Sequence, residues 1–192
     1  MGTTSMRISI SMILAAALAP LPALAQTPAS AQPASAPAIT PVFDCFHINF
    51  AWGFSLAGKL VDSDGTIYSY RKTKPAWLPH EVVENGVRYL SEADLQAKYA
   101  EREKSGNIDA KTLAEKTALI DAAGKGKVVH EDGGARDAGS SSCHAYVRDA
   151  AKARYRDVDL GSDGGVNDVR SRNDAAPAQD LLTWLKSAGV AR

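Results

Sequence analysis

Apolar and polar positions alternate first between Val42 and Trp52. Phe46, Ile48, Phe50 and Trp52 recur at every second residue, with His47 and Asn49 between them. That period predicts a strand with one buried face. Two more β-prone runs, Gly58–Val61 and Thr66–Arg71, flank Asp62-Ser63-Asp64-Gly65. An Asp-Gly pair in that position predicts a hairpin. The period then changes. Ser91 with Asp94 three residues on reads as a helix cap, Leu90 and Leu95 fit a hydrophobic staple, and the helix is expected to run to Lys104. A second helix is expected over Ile108–Ala123, where Ala110, Leu113, Ala114, Thr117 and Ile120 fall on one face. Cys143–Arg148 and Arg154–Leu160 read as short strands, and Ala176–Ala188 as a last helix with Ala178, Leu181, Leu182, Leu185 and Ala188 inward. The order is βββ-αα-ββ-α. It predicts an α+β domain: an antiparallel sheet of about five strands with helices packed on one face.

Ahead of this pattern lies a segment of another kind. Arg7 is the only charge before Asp44, an apolar run follows it from Ile8 to Ala19, and Ala23-Leu24-Ala25 supplies small residues before Gln26. Residues 1–25 therefore read as a secretory signal peptide. The apolar run is too short for a membrane span, which needs about 20 residues, so no span is expected after processing. Residues 26–41 are rich in Ala and Pro and contain nothing that builds a core. They read as a disordered linker to a single domain over 42–192. The expected location is the periplasm or the medium.

The chain has 192 residues, with 22 basic and 22 acidic side chains. Neutrality argues against a nucleic-acid binder, which carries a basic excess. Two cysteines are too few for a four-thiolate zinc site in one chain. In an oxidising compartment they are expected to pair, Cys45 with Cys143.

The remaining chemistry is diffuse. A Cys/His hydrolase would use Cys143 with His144 or His47, since imidazole can activate a thiolate. The same residues, with Cys45, could hold zinc, but neighbours on a strand point to opposite faces. Asp157, Asp159, Asp163, Asn167 and Asp168 supply the oxygens calcium prefers, without a fixed motif. Asp62, Asp64 and Gly65 lack the EF-hand's closing Glu, because Thr73 stands at the twelfth position, and read as a turn. Gly53-Phe54-Ser55-Leu56-Ala57 has β structure on both sides and not the strand and helix of a nucleophile elbow. His130-Glu131-Asp132 reads as loop, Arg148, Arg154 and Arg156 as ion-pair formers, and Tyr68 and Tyr70 as cross-strand packing. No cofactor motif is present. The segments Gly126–Ser142 and Gly161–Asp174 read as long loops where a partner would bind. The reading that follows is an exported, non-catalytic binding, inhibitor or envelope accessory domain, its partner a protein or small ligand in the envelope. The alternatives are the small hydrolase and a zinc- or calcium-binding protein. N-terminal sequencing of protein recovered from an exporting host should begin at Gln26, and a start at Met1 would reject the processing site.

Overall fold

Among the described residues, ten antiparallel strands in one sheet form the architecture. The computed structural model describes residues 37–50, 53–74, 80–132, 139–164 and 169–191. Contacts divide the chain into Met1–Ala34 and Ser35–Arg192. The first unit lies outside the described residues, and with it the signal peptide and most of the linker. The folded part begins before Val42: Ile39 is buried, and its backbone exchanges two hydrogen bonds with the Gln96 side chain.

The strands are β1 (Pro41–Asn49), β2 (Ser55–Asp62), β3 (Thr66–Lys72), β4 (Glu81–Glu84), β5 (Val87–Ser91), β6 (Arg102–Asn107), β7 (Val128–Asp132), β8 (Ser140–Asp149), β9 (Arg154–Gly164) and β10 (Val169–Asn173). They pair in the order β4-β5-β9-β8-β1-β2-β3-β6, and the far half of β9 also pairs with β10, which carries β7. The helices are α1 (Glu92–Lys98), α2 (Ala110–Thr117), α3 (Ile120–Ala123, a single turn) and α4 (Ala176–Ser187).

The expectation of a five-stranded sheet with helices on one face is thus overturned. The sheet has twice as many strands, and both of its faces are covered. On one face Phe43, Val61, Ala145 and Val158 meet Leu113, Ile120, Leu181 and Leu185 from α2, α3 and α4. Trp184 stands edge-on to Phe43 at 5.2 Å. On the other face Leu56, Leu60, Tyr70, Tyr146 and Tyr155 meet Leu95 and Tyr99 from α1 and its cap.

The local reasons are visible residue by residue. The hairpin between β2 and β3 forms as its sequence predicts. Gly65 takes φ +86°, and a Cβ there would lie 2.4 Å from the Ile108 carbonyl oxygen. Asp62 and Asp64 accept hydrogen bonds from the Thr40, Ser63 and Thr66 N–H groups, so both serve as turn ligands. Ser91 caps α1 by accepting from the Asp94 N–H at 3.0 Å. The helix stops at Tyr99 and the chain turns out into β6. The expected single helix over Ile108–Ala123 is broken at Ala118 and Leu119, and of its apolar series only Leu113 and Ile120 are buried. Gly126–Ser142 and Gly161–Asp174 are not simply loops, since β7, β10 and the ends of β8 and β9 lie within them.

Cys45 and Cys143 are directly opposed in the β1/β8 register and form a disulfide, with Cα atoms 4.1 Å apart. The bond joins residues 98 apart in sequence. In the chain-entropy model a crosslink of that span stabilises by roughly 4–5 kcal/mol. Replacing both cysteines by Ala should therefore lower the denaturation midpoint with little change in the native fold. Wild-type protein in reductant should shift the same way. Equal midpoints for all three would contradict the structure.

Candidate functional site

Polar chemistry collects in two places, one on each face of the sheet. The first is buried. Asp44 on β1 has no exposed surface. Its Oδ1 accepts from the Tyr70 hydroxyl at 2.7 Å, and its Oδ2 from Lys98 Nζ at 2.6 Å and the Tyr99 hydroxyl at 2.8 Å. The sequence permits this through Gly58, which lies opposite Tyr70. A Cβ on Gly58 would come within 2.6 Å of the Tyr70 hydroxyl and 2.7 Å of the Phe46 Cβ. The missing side chain is the space through which Tyr70 reaches Asp44. Lys98 Nζ also sits 4.2 Å from the centre of the Phe46 ring, a cation–π contact. Burial first, and then the Asp44 charge, pushes the Tyr70 and Tyr99 hydroxyls well above the usual tyrosine range.

Next to it on the same face, His144 Nδ1 lies 2.9 Å from Asp157 Oδ1, and Arg88 Nε lies 2.8 Å from Asp157 Oδ2. The imidazole stacks on Phe46 and on Tyr146. Burial alone would lower the His144 pKa, but the Asp157 and Asp159 carboxylates outweigh it and raise it from 6.5. Burial would raise Asp157, but His144, Arg88 and Lys98 hold it below 3.8. Each of these groups is occupied by another protein group, which suits a packed polar core more than a reacting centre.

The second place is open. Helices α2–α4 cover only part of their face. Beyond the C-terminal end of α4, the register sets two rows of side chains across neighbouring strands. One row is Ser69, Lys59, Cys45, Cys143 and Gly161, and the other is Arg71, Ala57, His47, Ser141 and Asp163. They help line a groove of about 1280 Å³. Its walls are Arg170–Arg172 of β10 on one side and Lys186 and Gly189–Ala191 on the other. The disulfide lies in its floor. Both segments in which the sequence places a partner surface contribute to this lining.

The candidate residues separate between these places. The Cys143 sulfur is bonded to Cys45 and offers no thiol. His144 points away from it into the opposite face, as strand alternation requires. His47 reaches the groove, where its Nδ1 lies 3.0 Å from Ser141 Oγ. A Cβ on Gly139 would come within 2.7 Å of its Nε2, so a glycine and not an orienting carboxylate occupies that side. The calcium candidates do not converge. Asp157 serves His144 and Arg88, Asp159 accepts from the Gly161 N–H at 2.8 Å, and Asp163 pairs with Arg170 at 2.9 Å. Asn167 and Asp168 lie outside the described residues. Arg148, Arg154 and Arg156 pair with Glu92, with Glu84 and Asp149, and with Asp121. Among the described residues no three His, Cys, Asp or Glu side chains are grouped to hold a metal ion, and no helix is long and apolar enough to cross a membrane.

No protein-family model matches the chain, and no curated protein or solved structure is found similar to it.

The His144–Asp157 pair carries a pH signature. A raised imidazole pKa gives stability that is fully present below about 6.5 and is lost as pH rises through the folded value. A depressed carboxylate pKa gives stability present above about 3.8 and lost as pH falls through the folded value. Denaturant titrations should therefore show wild type losing stability above pH 6.5. A His144→Gln variant, less stable at pH 6, should lose less over the same alkaline interval. Parallel pH profiles for the two proteins would refute the coupling.

Proposed function

We propose that this protein is an exported binding domain, without catalysis, whose ligand site is the groove beyond the C-terminal end of α4. The observation that carries this reading is the division of polar groups between the two faces. Groups with the chemistry of catalysis, His144 with Asp157 and Lys98 with Asp44, are buried and mutually satisfied. Groups with spare hydrogen-bonding capacity, Lys59, Arg71, Ser69 and Lys186, line an open concave surface. Binding sites are concave, with a few convergent polar groups. The groove is larger than the ~300–1,000 Å³ of drug-sized sites, which suits an extended ligand. The disulfide supports export, because such bonds persist in oxidising compartments. It also braces the floor at the junction of β1 and β8, so the site is held rigid before a ligand arrives.

The His47–Ser141 pair is the feature closest to a catalytic one. A hydroxyl hydrogen-bonded to an imidazole needs a third group to orient the imidazole before it becomes an effective nucleophile. Gly139 takes that place here, so the pair serves better as a donor–acceptor pair for a ligand.

Amide NMR spectra recorded with a panel of oligopeptides and oligosaccharides test the reading. Shifts should gather on β1, β2, β8 and the end of α4, and a Ser141→Trp variant that fills the groove should lose them. Shifts confined to other surfaces, or turnover of an ester or peptide substrate that depends on Ser141, would overturn it.

A further inference from the structure

The ligand class follows from the charges of the groove, and this step rests on the groove being the binding site. The chain as a whole is neutral, but the groove is not uniform. Two of its cations are neutralised locally: Arg170 by Asp163 at 2.9 Å, and Arg172 by Glu131 at 3.6 Å. Arg102 donates to the Tyr99 and Pro37 carbonyls. Lys59, Arg71 and Lys186 remain. None of the three makes an ion pair with a described residue. Lys59 Nζ donates to the Gly189 carbonyl at 2.7 Å, which offsets the negative end of α4 and leaves the ammonium two further donors.

These cations are spread and not gathered. Lys59 lies on β2, Arg71 on β3 beside Ala57, and Lys186 on the helix wall. Glu103 stands at the β6 rim and Glu101, paired with Lys72, beside it. Between the Arg71 side and Ser141 the row is open at Ala57, whose methyl leaves space above the sheet. A phosphate is a compact charge and favours backbone N–H groups at a helix N-terminus. The helix here presents its carbonyl end, which disfavours phosphate and carboxylate alike except where Lys59 and Lys186 offset it, so it is the spread of the cations that favours an extended ligand over a compact one. Charges strung along a longer molecule match cations set at strand spacings, with His47 and Ser141 available for hydrogen bonds.

We infer that the groove takes a carboxylate-rich ligand whose negative charges lie against Lys59, Arg71 and Lys186. The carboxylates belong to an extended acidic peptide segment, because the cations stand on separate elements and are not gathered around one point; citrate stands for a small polycarboxylate in the test. Hexaglutamate, citrate, hexaglutamine and a neutral maltooligosaccharide are titrated separately into the full-length mature protein, with amide NMR as the readout, in buffer of about 0.01 M ionic strength, where charges act over roughly 30 Å. Hexaglutamate is expected to saturate with shifts on β1, β2, β8 and the end of α4. Binding should collapse at about 1 M salt, where that range falls to roughly 3 Å. The Lys59→Gln, Arg71→Gln, Lys186→Gln variant should bind at least about tenfold more weakly, a loss of roughly 1.4 kcal/mol, while still melting cooperatively, with a midpoint lowered only by the loss of the Lys59–Gly189 hydrogen bond. If that variant is unstable, Arg71→Gln with Lys186→Gln, which breaks no hydrogen bond described above, should show the same direction. Hexaglutamate binding much tighter than citrate supports an extended acidic chain; equal binding would overturn the extended occupant. Groove shifts from hexaglutamine or the oligosaccharide but not from hexaglutamate would overturn the anionic ligand and leave the groove as a binding site. No groove shifts from any probe would overturn both. Hexaglutamate binding that the substitutions leave unchanged would overturn the assignment to these three cations.

Discussion

The rest of this structure depends on a carboxylate that has nowhere to reach water. Asp44 sits on β1, inside a ten-stranded sheet, with no exposed surface. A lone buried carboxylate would cost many kcal/mol in desolvation, so its partners must be present wherever the fold is present. One partner, Tyr70, comes from β3, across the side-chain gap at Gly58. The others, Lys98 and Tyr99, come from the end of α1. Removing one member of a buried ion pair typically costs about 3–5 kcal/mol, because the other charge is stranded. The pair therefore does more to specify where α1 lies than to add net stability. It fastens a helix of only seven residues, too short to persist alone, to the face opposite the other three.

That attachment explains why both faces of the sheet are occupied, and the division of labour follows from it. Alternation along each strand sends neighbouring residues to opposite sides. Asp44, Phe46, His144 and Tyr146 go to the α1 face, and Phe43, Cys45, Cys143 and Ala145 to the α4 face. The extra residue on β9, which sets Cys143 against Gly161 but His144 against Asp159, keeps this division while bending the strand. Past the bend β9 leaves β5 and takes up β10, whose Ser171 shares a 2.7 Å hydroxyl contact with Ser162. Asn173 then ties β10 to α3 and β9 by donating to the Ala123 and Asp159 carbonyls. The groove is the space this fork leaves beside the end of α4.

Some of this is legible in the sequence and some is not, for physical reasons. Large apolar residues at period two mark β1, Asp64-Gly65 marks its hairpin neighbour, and Ser91 with Asp94 marks the start of α1. The spacing of Leu181 and Leu185 marks α4. The missing strands lack such marks. Val82 and Val83 on β4 are 52% and 65% exposed, so neither face of that strand has a burial pattern to show. β6 reads Arg-Glu-Lys-Ser-Gly-Asn and lies at a sheet edge, held by backbone pairing and by polar contacts of Arg102 and Ser105, with no apolar side chain to mark it. β10 turns Ser171 and Asn173 inward, so its buried positions are polar. One signal could have been used: Asn85-Gly86, between Val83 and Val87, is a strong two-residue hairpin turn, and both residues take positive φ. Of the site, the pairing of Cys45 with Cys143 follows from the even count and from the compartment the sequence leads one to expect. The buried network does not, because nothing local tells that Asp44, Lys98 and Tyr99 meet across more than fifty residues.

The same contrast separates residues that hold the fold from residues open to a ligand. A charge inside a protein requires partners from that protein, as at Asp44 and Asp157. Charge at the rim of a concave surface has no such requirement, because water screens it until something displaces the water. Lys59, Arg71 and Lys186 are therefore tolerated without carboxylate partners at little cost to stability. The charge balance of the whole chain conceals them, since Asp163, Glu131 and the other acids cancel the count without closing the groove. What distinguishes the groove is position: three cations on separate elements, around a floor that a disulfide holds in register. Such a surface gains most from a partner that supplies negative charges already spaced, because the groove itself need not rearrange to meet them.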